Sequence, residues 1–234
     1  MTIRTFTAIN LNLETIRNIS RFQEELRGDL KTTGYKISWV APANIHITLK
    51  FLGDVDETLP DAVAGALADP LRKIPAFNVS LRGIGVFPNP NRPRILWAGV
   101  EDPEASIKTL YLEMEKIISG MGFLPEKKDF SPHATIGRIR KGPSGAIEEF
   151  INRNNERSFG ETFVTEVIIY RSTLTPKGAE YNVIRRIRLG SARNRNEGSG
   201  RNKSESHDIA LGKIPDEQSN DSNNIKNTRE SEEE

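Results

Sequence analysis

A four-residue pattern that occurs twice constrains this chain more than any other feature of its sequence. Each copy consists of a histidine, a variable residue, a threonine and an aliphatic residue, and these tetrads run from His46 to Leu49 and from His133 to Ile136. Side chains alternate between the two faces of a β-strand, so the histidine and the threonine of each tetrad point the same way. The sequence therefore predicts two strands that each present one imidazole and one hydroxyl on one face and aliphatic side chains on the other.

Composition excludes several kinds of site. The 234 residues include no cysteine, which excludes disulfides, thiolate catalysis and cysteine-based zinc sites. The first 190 residues carry 26 Lys or Arg and 22 Asp or Glu, and this small positive excess is compatible with a polyanionic partner. No apolar run approaches the length of a membrane span, and residues 1–10 lack the apolar block of a signal peptide. We expect a cytoplasmic protein that does not enter a membrane.

Hydrophobic periodicity divides the chain into a folded part, residues 1–190, and a polar tail, residues 191–234. The tail contains no Phe, Trp or Tyr, so it cannot bury enough apolar surface to offset the entropy of ordering, and it is predicted to be disordered. In the folded part the pattern predicts alternating strands and helices. The predicted helices are Glu14–Leu30, Glu57–Ile74, Pro103–Ser119 and Ser144–Arg153. The predicted strands are Thr5–Leu13, Ser38–Val40, Asn44–Leu52, Phe77–Phe87, Arg94–Glu101, Pro132–Arg140, Glu161–Ser172 and Tyr181–Leu189.

The order of these elements is a weak internal duplication. In each half a helix leads into a tetrad strand, another helix follows, and a pair of strands comes next. Mixed elements with hairpins favour the α+β class, with two antiparallel sheets and helices packed on their outer faces. A two-lobed domain with pseudo-twofold symmetry would place one tetrad in each lobe, facing the other across a central cleft.

Two such tetrads suit phosphodiester hydrolysis without a metal or another cofactor. Histidine has an ordinary pKa of about 6.5, so near neutral pH one ring can accept a proton while the other donates one. Thr48 and Thr135 can donate hydrogen bonds to phosphate oxygens, where charge builds up in the transition state. Two histidines alone do not make a catalytic zinc site, because such a site usually has a third protein ligand.

Strand alternation also assigns faces to the residues beside the tetrads. Phe51 is expected to pack against helices, whereas Lys50 shares the face of His46. Lys50 is therefore either a residue of the cleft or an ordinary surface lysine. Arg138 is the arginine closest to the second tetrad, but it falls on the wrong face unless its strand bends or ends near Gly137.

The sequences around both tetrads extend the pattern to four stretches, Trp39–Gly53, Gly85–Trp97, Ser131–Arg138 and Tyr170–Tyr181. In these stretches the chain resembles the two-histidine (2H) phosphoesterases, and more closely their RNA 2′,3′-cyclic phosphodiesterase branch, once called 2′-5′ RNA ligases. The resemblance covers residues 1–190 and implies a bilobal domain, two interlocked lobes with both tetrads lining a central cleft.

The resemblance also implies an activity. It implies hydrolysis of RNA 2′,3′-cyclic phosphate ends to 2′-phosphomonoesters without a metal or cofactor, with a weak reverse reaction that joins ends through a 2′-5′ linkage. His46 is implied to be the proton donor and His133 the proton acceptor, and Thr48, Thr135 and Arg138 are implied to bind the phosphate. The expected partners are RNA termini with a 2′,3′-cyclic phosphate, and no obligate protein partner is expected.

Residues outside the tetrads are candidates for contact with RNA, whose ends are commonly held by aromatic stacking and basic side chains. Phe87, Arg92 and Arg94 flank a Pro-rich loop and can supply both kinds of contact, or they form a hairpin corner with solvated arginines. Trp39 and Trp97 alternate with apolar residues and are predicted to lie in the core.

Three readings of function follow from a site that recognises only a phosphate. The first is the RNA 2′,3′-cyclic phosphodiesterase. The second keeps the site but acts on a small cyclic nucleotide, ADP-ribose cyclic phosphate or a 2′-5′ oligonucleotide. The third is a module that binds RNA ends without catalysis. The basic run of Arg138, Arg140 and Lys141 is either a solvated face or a guide for RNA.

Overall fold

A computed structural model describes residues 1–30, 33–143, 145, 147–176 and 178–192. Within these residues the strands are β1 Thr2–Asn10, β2 Lys36–Trp39, β3 His46–Asp56, β4 Phe77–Phe87, β5 Ile95–Glu101, β6 His133–Lys141, β7 Ser158–Val164, β8 Glu166–Thr175 and β9 Gly178–Arg188. The helices are α1 Leu13–Leu30, α2 Leu59–Arg72, α3 Ser106–Gly120 and α4 Glu148–Arg153, and a 3-10 turn spans Pro42–Asn44. Almost all of the predicted disordered tail, residues 193–234, lies outside the described residues.

The strands form one continuous antiparallel sheet in the order β7-β4-β5-β6-β3-β1-β8-β9, with β2 paired to β6. The two predicted sheets are therefore the two halves of one sheet, and they join where Ile47 of β3 pairs with Ala134 of β6. We name β3, β1, β8 and β9 lobe 1, and β6, β5, β4, β7 and β2 lobe 2. The predicted α+β class and two-lobed plan are confirmed, and each lobe contains one tetrad strand.

Two predicted strand boundaries are wrong. The predicted strand Glu161–Ser172 is two strands, because β7 pairs with β4 in lobe 2 and β8 pairs with β1 in lobe 1. The chain crosses between the lobes at Thr165 without a glycine or proline, so the sequence carries no turn signal there. The strand of the first tetrad does not end at Gly53 but continues to Asp56, because Gly53 adopts a φ of 81° inside the strand. This conformation is accessible to glycine and strained for most other residues.

The helices interlock the lobes. Helix α1 follows β1 of lobe 1 but packs on β7 of lobe 2, whereas α3 follows β5 of lobe 2 but packs on α2, which covers β9 of lobe 1. Gln23 of α1 is buried, and its side-chain amide donates to the carbonyl oxygens of Val40 at 2.9 Å and Ile136 at 2.8 Å. These bonds satisfy a buried polar group and fix α1 against the second tetrad. Within the described residues, no helix is long and apolar enough to cross a membrane.

A β-bulge follows the threonine of each tetrad. In β3, Ala8 pairs with Thr48 but Thr7 pairs with Lys50, so one residue is left over. In β6 the same shift occurs between Thr135 and Gly137. Because a bulge adds one residue to one strand, it reverses which face the following side chains occupy. The face assignments predicted for an ideal strand therefore fail after each tetrad.

The bulge in β3 overturns the expectations for Lys50 and Phe51. Phe51 is 60% exposed and contacts the ring of Phe6, instead of packing against a helix. Lys50 is buried rather than lining the cleft or lying on the surface, and its Nζ donates to the Glu115 carboxylate of α3 at 2.7 and 2.8 Å. The Thr7 hydroxyl accepts from the Lys50 backbone N–H at 3.1 Å, which satisfies a polar group at the bulge.

Replacing Lys50 with methionine is expected to lower the free energy of unfolding by about 3–5 kcal/mol, because the largely buried Glu115 carboxylate loses its cation. Denaturant titration of both proteins measures the change. As a control, Glu24→Gln breaks an exposed ion pair with Arg27, and it should cost less than about 1 kcal/mol. Equal losses in the two variants would show that the buried pair adds nothing beyond a surface contact.

Candidate active site

The two tetrads meet where the lobes join. Ile47 and Ala134, the second residues of the tetrads, pair across β3 and β6 and are both fully buried. Two antiparallel strands are related by a local twofold axis. One position away from the Ile47–Ala134 pair on either side, the histidine of one tetrad therefore lies opposite the threonine of the other. All four of these side chains are partly exposed, which places them on the opposite face from the core.

The twofold relation extends to the strands that flank the tetrads. Strand β1 lies beside the first tetrad and β5 lies beside the second, with the same register. The equivalent cross-strand pairs are Asn10–His46 and Gly99–His133, Ala8–Thr48 and Trp97–Thr135, and Phe6–Phe51 and Ile95–Arg138. The bulges are equivalent too, so the two halves of the site share one backbone frame with different side chains.

Each histidine is oriented by the carbonyl oxygen of the residue two positions earlier. His46 Nδ1 donates to the Asn44 carbonyl at 2.8 Å, and His133 Nδ1 donates to the Ser131 carbonyl at 2.7 Å. A carbonyl oxygen only accepts, so the proton of each neutral ring lies on Nδ1. Nε2 is therefore the nitrogen that can accept a proton, and in His46 it accepts a hydrogen bond from the Thr48 hydroxyl at 3.1 Å.

Aromatic rings surround His46 on its lobe 1 side. Phe6 stacks on the imidazole with 5.0 Å between ring centroids, and Tyr181 meets it edge-on at 5.3 Å. Tyr170 lies 6.3 Å away and donates from its hydroxyl to Asn10 Oδ1 at 2.7 Å. These rings exclude water from the imidazole and restrict its rotation.

Aromatic rings also flank His133, on the lobe 2 side. Phe87 meets the imidazole edge-on at 5.0 Å, and the Trp97 ring lies 6.4 Å away. Phe87 contacts Trp97 as well, with 5.3 Å between ring centroids. Each catalytic candidate therefore has its own apolar wall, built from residues of its own lobe.

Burial lowers the pKa of both histidines. The pKa of His46 falls from 6.5 to about 4 because burial penalises the charged ring, and the nearby His133 lowers it further while the bond to Asn44 opposes the shift. Burial likewise lowers the pKa of His133, and its bond to Ser131 opposes this. In the free site the His46 ring is therefore neutral at pH 7.

Comparison with known proteins identifies the family. The model of the LigT-like phosphoesterases matches residues 10–97 and 99–181. The chain belongs to the LigT-like phosphoesterase family. A relative from Methanothermobacter thermautotrophicus, named RNA 2′,3′-cyclic phosphodiesterase, is 38% identical over 191 residues, which are 81% of this chain and 100% of the relative. A relative of the same name from Thermotoga maritima is 37% identical over 182 residues, covering 78% of this chain and 93% of its own.

The fold of this LigT-like chain is also found in solved structures. A crystal structure of a Thermus thermophilus protein matches it with a TM-score of 0.66 and 28% identity, over 82% of this chain and 100% of that one. The family resemblance inferred from the two tetrads is thus confirmed. In the described part of the chain, no three His, Cys, Asp or Glu side chains are grouped as metal ligands.

The other predicted site residues lie on lobe 2. Arg138 is exposed and pairs across the strands with Ile95, and the bulge puts it on the face of the second tetrad, which removes the predicted obstacle. Phe87 contacts His133, as described above. Arg92 and Arg94 have exposed side chains, and the Arg94 backbone N–H donates to the Phe87 carbonyl at 2.7 Å. All four residues therefore lie on lobe 2, and among them Phe87 contacts a tetrad histidine.

Apart from Phe87, sequence reasoning missed the aromatic rings beside the two histidines of the LigT-like site. Trp97 was expected in the core but lies beside His133, so that expectation is wrong, whereas Trp39 packs against the core as expected. Phe6, Tyr170 and Tyr181 were not assigned to the site. Their alternation with apolar residues predicts strands, but it does not show which strands lie beside the tetrads.

Nuclear magnetic resonance titration should find the pKa of His46 at about 4 and that of His133 below 6.5. Replacing Phe87 with alanine is expected to admit water to the His133 ring and raise its pKa, while the pKa of His46 stays in place. Because a lowered pKa means that the unfolded chain binds more protons, the free energy of unfolding should fall as the pH drops from about 6.5 towards 4. A His46 ring that titrates at its ordinary pKa would contradict the desolvation argument.

Proposed function

We propose that this LigT-like protein hydrolyses RNA 2′,3′-cyclic phosphate ends to 2′-phosphomonoesters without a metal. The observation that carries the proposal is the twofold pair of histidines, each with Nδ1 bound to a backbone carbonyl and Nε2 left for proton transfer. The names of the relatives support the choice of substrate, since those from M. thermautotrophicus and T. maritima are RNA 2′,3′-cyclic phosphodiesterases.

In the proposed step a water oxygen attacks phosphorus, and the bond between phosphorus and the ribose 3′-oxygen breaks. His133 Nε2 takes a proton from the water, and His46 Nε2 gives a proton to the departing 3′-oxygen. The phosphate stays on the 2′-oxygen, so the product is a 2′-phosphomonoester. Each positioned proton transfer typically contributes about 10²–10⁴-fold in rate. If the 5′-hydroxyl of another RNA end attacks phosphorus in place of water, the same P–O3′ bond breaks and the two ends are joined through a 2′-5′ linkage.

Two threonines and an arginine are proposed to bind the phosphate. Thr48 and Thr135 flank the histidines on the cleft face, and their hydroxyls can donate to the non-bridging oxygens. In the free site the Thr48 hydroxyl bonds to His46 Nε2, and a bound phosphate would draw this donor to itself. Arg138 adds a planar cation on the same face, which suits a dianionic transition state.

The acid and base roles of the two histidines need protonation states that the free site does not hold. A proton donor at His46 needs a protonated ring, whereas burial keeps its pKa at about 4. A bound cyclic phosphate brings a negative charge that raises the pKa of a nearby imidazole. With the phosphate bound, His46 is the proposed donor and His133 the proposed acceptor.

Aromatic and basic side chains at the cleft are proposed to hold the terminal nucleotide. Phe51 is 60% exposed on the cleft face, and an exposed ring suits stacking with a base. Phe87, Arg92 and Arg94 lie on the lobe 2 side, where the rings and guanidinium groups can contact the ribose and the adjoining phosphates.

Turnover of an RNA oligonucleotide with a 2′,3′-cyclic phosphate, measured in EDTA, tests the proposal. The wild-type protein should form a 2′-phosphate end, and His46→Ala and His133→Ala should each lose about 10²–10⁴-fold in kcat. Loss of activity in EDTA that added metal restores would contradict a metal-independent reaction. RNA binding without turnover would favour a module that only recognises RNA ends.

A substrate with sulfur in place of the 3′-bridging oxygen separates the acid from the base. A departing thiolate needs no proton, so the variant that lacks the general acid should recover most of its lost rate on this substrate. If His46 is the donor, His46→Ala recovers and His133→Ala does not. Recovery of His133→Ala alone would reverse the assignment, and the product of each reaction is read by chromatography.

A further inference from the structure

A row of cations continues from the second tetrad along lobe 2. We call these residues the β6 strip: Lys36, Arg92, Arg94, Arg138, Arg140 and Lys141. All six side chains are exposed. None forms an ion pair with an acidic residue in the described ranges. Six unneutralised cations on one surface make a local positive potential that the small net charge of the chain conceals.

Three segments bring the β6 strip together. Strand β2 pairs with the second half of β6, so Lys36 lies opposite Lys141. Arg140 Nε donates to the Ser38 hydroxyl of β2 at 3.1 Å. The loop before β5 is fixed to β6, because the Ile139 backbone N–H donates to the Arg94 carbonyl at 2.8 Å. Lys141 lies about 27 Å from His133 along an extended strand, so the strip is long enough to follow several phosphates.

The equivalent strand of lobe 1 carries acidic side chains instead of basic ones. By the twofold relation, Phe51 takes the place of Arg138, and the strand then continues to Asp54 and Asp56, both exposed. Arg4 is the cross-strand partner of Asp54. A polyanion that leaves the cleft therefore meets acidic side chains along β3 and only basic ones along β6. The two tetrad strands thus share one backbone arrangement but differ in the charge of their side chains beyond the tetrads.

We infer that the RNA chain that precedes the cyclic phosphate leaves the cleft over lobe 2 and lies along the β6 strip. The inference rests on the proposed function, and it adds the path that the RNA chain follows and the residues that hold its phosphates. Lysines and arginines contact phosphates without reading bases, so binding is independent of sequence and falls as salt rises. The strip acts on binding of the chain, whereas proton transfer stays with the tetrads.

Steady-state kinetics on two substrates tests the inference: an octanucleotide with a 2′,3′-cyclic phosphate and a 2′,3′-cyclic mononucleotide. The variant K36Q/R140Q/K141Q should raise KM for the octanucleotide on the order of tenfold or more and leave its kcat unchanged. Both constants for the mononucleotide should stay the same. The slope of log KM against log salt should shrink by about 2, since each phosphate contact of a single strand contributes about 0.7.

The control variant R4Q/K108Q/R171Q removes the same charge from exposed positions outside the β6 strip and should leave both substrates unaffected. An equal rise in KM for both variants, or no rise in the strip variant, would overturn the inference. If the wild type turns over neither substrate, the proposed function fails. Fluorescence anisotropy with an octanucleotide that ends in a hydroxyl then tests whether RNA binds along the β6 strip. Loss of binding in the strip variant alone would support the inference, and unchanged binding would refute it.

Discussion

The pairing of Ile47 with Ala134 is the contact on which the arrangement of the site depends. It joins the two halves of the sheet and sets the register of the tetrads, with both side chains buried on the helix-covered face. The alternation of a strand then places His46, Thr48, His133 and Thr135 on the other face. Beyond this contact, β6 pairs with β2 instead of β3, so the two tetrad strands are neighbours only at this point.

Two opposing effects set the protonation state of the histidines. Aromatic rings remove water and favour neutral imidazoles, which lowers the pKa, whereas backbone carbonyls bound to Nδ1 favour the charged ring. The same carbonyls fix the tautomer, so both Nε2 atoms are available for proton transfer. Because the pKa of both histidines is lowered, both rings are mainly neutral at pH 7 in the free site. In the proposed reaction, the negative charge of the bound phosphate would stabilise the protonated ring that an acid catalyst needs.

The twofold relation gives the two halves of the site equivalent backbones, and the halves differ in their side chains. The bulge after each threonine turns the following residues towards new faces, so that Lys50 enters the core to pair with Glu115, while Gly137 occupies the matching place in lobe 2. The next residue on the cleft face is Phe51 in one lobe and Arg138 in the other. An aromatic ring and a cation at symmetric positions suit a nucleotide, whose base and phosphate require different partners.

The sequence alone identified the family of this protein and the residues proposed for its chemistry, because the paired tetrads supply two histidines and two threonines and strand alternation gives them a common face. It also determined the α+β class and the elements whose periodicity is strong, including α1 and the strands on either side of the Pro-rich loop. Only the tertiary structure decided which strands lie beside the tetrads, since β1 and β5 are distant in sequence from the tetrad strands that they pair with. The same holds for the two bulges, which leave no mark in hydrophobic periodicity yet reverse the faces of Lys50, Phe51 and Arg138. A bulge is a property of the register between two strands, and register is fixed only when both strands are packed together.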